Sequence, residues 1–104
     1  MSKKDTINEL TNVLAIALRH KIGSIVNENE IYAEKYSKDA EMLIKLATKI
    51  LLRENWNQYD KLKIKEELKI KLRKELEKKE FLDNKKFDIM NNEIEKILTQ
   101  LELN

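Results

Sequence analysis

Leu62-Lys63-Ile64-Lys65-Glu66-Glu67-Leu68-Lys69-Ile70-Lys71-Leu72 can be read in two ways. Leu62 and Ile64 alternate with Lys63 and Lys65, and Leu68, Ile70 and Leu72 alternate with Lys69 and Lys71. That is the period-two pattern of a strand with one buried face. Ile64, Leu68 and Leu72, continued by Leu76, also step by four, which is one face of a helix. The helical reading is preferred. Lys, Glu and Leu are strong helix formers, no turn former separates the segments, and Glu67 four residues before Lys71 is a favourable helical pair.

The rest of the chain points the same way. Its 104 residues include one Gly and no Pro, so few turn formers interrupt it and long helices are the natural outcome. With 41% hydrophobic residues beside 38% charged ones, it is too apolar for a disordered segment. The reading is therefore an all-α fold: one helical domain over 1–104, arranged as a small antiparallel bundle of three to four helices.

The first helix is predicted over about 6–26. Thr6 and Glu9 have the spacing of a capping box, and Ile7, Leu10, Leu14, Leu18, Ile22 and Ile25 follow at helical intervals. Val13, Ile16 and Ala17 widen that stripe and place this helix at the centre of the core. Gly23 marks either a close packing contact or a local break. Asn27-Glu28-Asn29 is the first turn. A second helix follows over about 28–54, with Tyr32, Tyr36, Ala40, Leu43, Ala47, Ile50 and Leu51 on one side. It and the first helix should form the tightest pair.

Asn55-Trp56-Asn57 is the next break, where Asn57 can cap with Asp60 three residues on. The third helix then covers about 58–82 and the fourth about 85–101. Asp83-Asn84 between them is a weak break, and the alternative is one long merged helix. In the fourth helix Phe87, Met90, Ile94, Ile97 and Leu101 repeat like a heptad seam. Two heptads do not make an autonomous coiled coil, so the seam must pack on something, either within the bundle or on a second subunit.

Composition removes several function classes. With no Cys there are no disulfides, thiolate metal sites or cysteine nucleophiles. His20, the one histidine, lies between Arg19 and Lys21 with no carboxylate or nucleophile assigned to it. Glu28, Glu30, Glu34, Asp39 and Glu41 gather near the start of the second helix, where acids are favoured by the helix dipole. No cofactor, metal or catalytic residue is assigned, and the chain is read as not an enzyme. The longest mainly apolar run, Val13–Leu18, falls far short of the about 20 residues that span a membrane. A soluble, cytoplasmic protein without membrane attachment is expected.

Charge is unevenly placed. The whole chain carries 21 Lys+Arg and 19 Asp+Glu. Residues 61–79 hold nine basic and four acidic side chains, whereas residues 1–60 balance at nine of each. Lys61, Lys65, Lys69 and Arg73 step by four and can present one face to phosphates. Lys outnumbers Arg 18 to 3, however, and compositional drift supplies Lys as readily as selection does. The leading expectation is a non-catalytic helical interaction module (a small subunit, adaptor or regulator) that packs against itself or a partner helix, with Phe87, Met90, Ile94, Ile97 and Leu101 as its interface. The alternative is a nucleic-acid or ribosome-associated protein that uses the Lys-rich face.

Overall fold

The computed structural model describes residues 2–26, 30–78 and 85–104, and the side chains of residues 30, 31, 85 and 86 fall outside that description. The predicted turn at Asn27-Glu28-Asn29, the last residues of the third helix and the break at Asp83-Asn84 therefore lie outside the described residues.

Helix α1 (Lys3–Val26) begins one turn earlier than the sequence suggested. Ser2 and Asp5 form the reciprocal box: the Asp5 N–H donates to Ser2 Oγ at 3.2 Å, and the Ser2 N–H donates to Asp5 Oδ2 at 3.4 Å. The same serine-x-x-acid spacing simply occurs four residues before Thr6 and Glu9. Thr6 is instead buried in the first turn, with its hydroxyl donating to the Ser2 carbonyl. Ile7, Leu10, Leu14, Leu18 and Ile22 are buried as their spacing requires, and Ile25, one turn further on, is exposed.

Gly23 does not break the helix. It marks a packing contact: a Cβ there would meet the Tyr36 ring at 3.4 Å, an ordinary van der Waals distance. Helix α2 (Glu30–Leu51) runs antiparallel to α1, with Tyr36 beside Gly23 at one end and Arg53 paired with Glu9 near the other. Ala40, Ala47 and Ile50 are buried against α1, whereas Tyr32 at the start of the predicted stripe is exposed. The helix ends at Leu51 and not at Glu54 because Trp56 intervenes. Its indole N–H donates at 2.8 Å to the Leu51 carbonyl that a continuing helix would have offered to residue 55.

Helix α3 (Gln58–Glu77) is capped as its sequence predicted. The Asp60 N–H donates to Asn57 Oδ1 at 2.8 Å, and the Asn57 N–H donates to Asp60 Oδ2 at 3.1 Å. Lys3 completes the corner: its ammonium lies 2.7 Å from Asp60 Oδ2 and 5.8 Å from the Trp56 ring centroid. Ile64, Leu68, Leu72 and Leu76 are buried, while Leu62 is 60% exposed and Ile70 56%. The period is thus four and not two, and the strand reading is excluded.

Helix α4 (Lys85–Gln100) closes the bundle. Its C-terminus is a Schellman motif. The Leu103 N–H donates to the Leu98 carbonyl at 2.7 Å, and the Glu102 N–H donates to the Thr99 carbonyl at 3.1 Å. Glu102 holds the left-handed position at φ 57°, where glycine is usual, and Leu103 is buried behind it.

The four helices form an all-α bundle built around α1. α2 covers one side of it. α3 lies parallel to it on another side, with Lys3 reaching Asp60 at one end and Arg19 reaching Glu75 at the other. α4 runs antiparallel to α3, as the Lys65–Glu95 and Arg73–Phe87 contacts show. Among the described residues α2 packs on α1 alone, and is most closely paired with it. The stretch 52–57 therefore carries the chain past α1 and makes no hairpin between α2 and α3.

Truncating the two halves of the ambiguous segment separates its readings by stability. Leu68→Ala should cost roughly 2–5 kcal/mol, as for other fully buried leucines, and Ile70→Ala should stay within about 0.5 kcal/mol. Chemical denaturation of both variants checks this. Equal losses would mean that Leu68 and Ile70 share a buried face, as a strand would require.

Candidate functional site

The heptad row of α4 is used inside the chain. Ile94 is inaccessible, Met90, Ile97 and Leu101 are buried, and Phe87 is half-buried against the same core. These side chains meet the buried rows of α1 and α3. The exposed apolar side chains lie outside this row. On α2 the exposed apolar residues are Tyr32, Met42 and Leu46, and on α3 they are Tyr59, Leu62 and Ile70.

Lys61, Lys65, Lys69 and Arg73 line the edge of α3 that faces α4. Lys61 and Lys65 are half-buried, and Lys69 and Arg73 are exposed. Lys65 is paired with Glu95 of α4 at 2.8 Å, and Arg73 lies 5.4 Å from the Phe87 ring centroid and 3.4 Å from Glu77. The Lys65 hydrogen bond, reinforced by its charge and by Lys69, holds the Glu95 carboxyl below the ordinary glutamate range.

The row is one wall of a groove between α3 and α4. At one end a cavity of about 300 Å³ is lined by Lys69, Ile70, Arg73, Phe87, Met90 and Asn91. At the other a cavity of about 150 Å³ is lined by Lys61, Leu62, Lys65, Glu95, Leu98 and Leu103, with Gln58 and Asn104 at its rim. Each cavity has apolar lining, Phe87 and Met90 in the first and Leu98 and Leu103 in the second, and Ile70 and Leu62 are the exposed wall residues on α3. Four cations and one carboxylate line the two cavities together.

Helix phase explains this concentration of positive charge. Two of the acids on α3 turn inward toward α1: Glu75 accepts from Arg19 at 2.7 Å, and Glu67 lies beside Thr11. Lys71 also turns inward. It donates to Thr11 Oγ1 at 2.6 Å and to the Asn8 side chain at 2.9 Å, and burial lowers its pKa. The outward face keeps more bases than acids.

Three other polar features lie outside the groove. Glu93 on α4 is 3% exposed and lies 2.6 Å from the Lys21 ammonium, outside hydrogen-bonding alignment at that oxygen. Lys96 approaches its other oxygen at 3.4 Å, so the group is a buried ion-pair joint between α1 and α4. A third cavity, of about 400 Å³, is lined by Lys21, Ser37, Ala40, Glu41, Ile44, Lys45 and Gln100, two cations and one carboxylate among them. His20 stacks obliquely on Tyr36 with ring centroids 5.7 Å apart. Among the described residues no group of three or more His, Cys, Asp and Glu could hold a metal ion, and no helix is long and apolar enough to cross a membrane.

The sequence matches no known family model, and neither curated proteins nor solved structures show a significant similarity to it.

The Lys65–Glu95 bond across the groove has a direct titration signature. Glu95 is expected to titrate below the about 4.3 of an unperturbed glutamate, and Lys65→Met should move it upward. Carboxyl-carbon NMR from pH 2 to 7 reads both values. An unchanged Glu95 titration in the variant would show that the two side chains do not meet.

Proposed function

We propose that this chain is a non-catalytic helical interaction module, a small subunit or adaptor that works by packing against a helix of a protein partner. The observation that supports it is the pairing of a closed core with exposed aliphatic side chains on two helices: Met42 and Leu46 on α2, and Leu62 and Ile70 on α3. Single exposed apolar residues are ordinary on any protein surface. Here they recur at helical spacing, and two of them stand on the walls of cavities. Partner recognition in this mode needs anchors at helical intervals on the ligand and a charged rim to set its register.

Cross-linking and affinity recovery from the source organism tests this reading. A tagged chain should recover specific proteins, and either Met42→Ser/Leu46→Ser or Leu62→Ser/Ile70→Ser should abolish their recovery. The same proteins recovered at the same yield with both variants would overturn it.

A second reading, nucleic-acid or ribosome association, draws on the inward turn of Glu67 and Glu75, which leaves Lys61, Lys69 and Arg73 on an outward cationic edge. Its signature is salt. If all four cations of the row meet phosphates, the logarithm of the affinity should fall with the logarithm of salt with a slope of about −3. A titration of labelled RNA and DNA between 50 and 300 mM salt measures it, and a flat profile would remove this reading.

A further inference from the structure

The geometry points to the α3–α4 groove as the docking site for an acidic amphipathic helix, which seats one apolar side chain in each cavity. This rests on the interaction-module reading and names its surface and its ligand. Leu62 and Ile70 mark the two cavities and lie eight residues apart on α3, a separation of about 12 Å along a helix axis. A helical ligand crosses that distance with apolar residues at i and i+7 or i+8, two turns apart on one face. Between these anchors the wall carries Lys65 and Lys69, with Lys61 and Arg73 at its ends. Glu95 engages Lys65 and Glu77 lies 3.4 Å from Arg73, so among the described residues Lys61 and Lys69 are the cations of the row that no ion pair holds. A carboxylate at i+3 or i+4 of the ligand would face Lys69, and one beyond the first anchor would face Lys61.

Charge decides against one other occupant, and exposed apolar surface against a second. A second copy docked by the same groove on a two-fold axis would bring like charges together. Nucleic acid would satisfy the cations but leave Leu62 and Ile70, each more than half exposed, facing sugar and phosphate. The one ring in the groove, Phe87, is half-buried beneath Arg73 and offers no open face for a base.

The probe is a fluorescein-labelled helical peptide of about 20 residues, built of Glu and Ala with Leu at i and i+7. Its controls are the same composition scrambled, the same register with Lys for Glu, and labelled oligouridylate. Fluorescence anisotropy on the full chain should show saturable binding of the acidic helix, weakened by salt. The scrambled and Lys peptides should bind at least about tenfold more weakly. Leu62→Ser/Ile70→Ser and Lys69→Glu/Arg73→Glu should each weaken binding by at least about tenfold. All four positions are outside the core, and circular dichroism checks that the variants keep their helices. Equal binding of the scrambled peptide, or undiminished binding by Leu62→Ser/Ile70→Ser, would overturn the proposal. So would oligouridylate that displaces the peptide and binds independently of Leu62 and Ile70. If partner recovery is lost only with Met42→Ser/Leu46→Ser, the module reading stands and the groove is not its surface; if it is lost with neither pair, both fall.

Discussion

α1 is apolar over too much of its circumference for one partner helix to cover. Ile7, Leu10, Leu14, Ala15, Ala17, Leu18 and Ile22 are all buried, and so are Thr6 and Thr11. Three helices must therefore share its surface. α2 takes the side where Tyr36 packs on Gly23, α3 the side of Thr11 and Arg19, and α4 the side of Lys21. The heptad row of α4 is buried as a consequence, since it closes the core over α1 and α3. α3 gives one face to α1 and one edge to α4, and its remaining surface is left to solvent.

The same division sorts the charges. Side chains of α3 that face α1 include both signs and are neutralised there, Glu75 by Arg19 of α1 and Glu67 within the Lys71 cluster with Thr11 and Asn8. Exposed ion pairs such as Arg73–Glu77 contribute little to stability, typically below about 1 kcal/mol. Their positions matter more than their energies. A helix with balanced acids and bases in sequence becomes a surface with a cationic edge in three dimensions, because two of the acids are turned inward. That edge borders two apolar cavities, and the proposed docking of an acidic amphipathic helix rests on this combination.

Much of the bundle was legible in the chain. The four-residue steps of Ile64, Leu68, Leu72 and Leu76 fixed α3 as a helix and identified its buried row, and Asn57 with Asp60 fixed its start. Two kinds of feature were not legible. One is local and ambiguous: Ser2 and Asp5 satisfy the same capping pattern as Thr6 and Glu9, and Glu102 takes a left-handed cap that glycine would have announced. The other is tertiary. Leu62 and Ile70 are the same residue types as their buried neighbours, and only helix phase relative to α1 exposes them. The groove joins residues some thirty positions apart, as Lys65 and Glu95 are, and no spacing within one helix reveals it.

The apolar seam of α4 is satisfied within one chain, where Met90, Ile94, Ile97 and Leu101 are buried. Light scattering on an eluting size-exclusion peak tests this most directly, at two protein concentrations and at low and high salt. The expected result is a single species of 12.4 kDa under all four conditions. A dimer that persists in all four and dissociates on substitution of Met90 or Ile97 would place the seam between subunits and contradict the account.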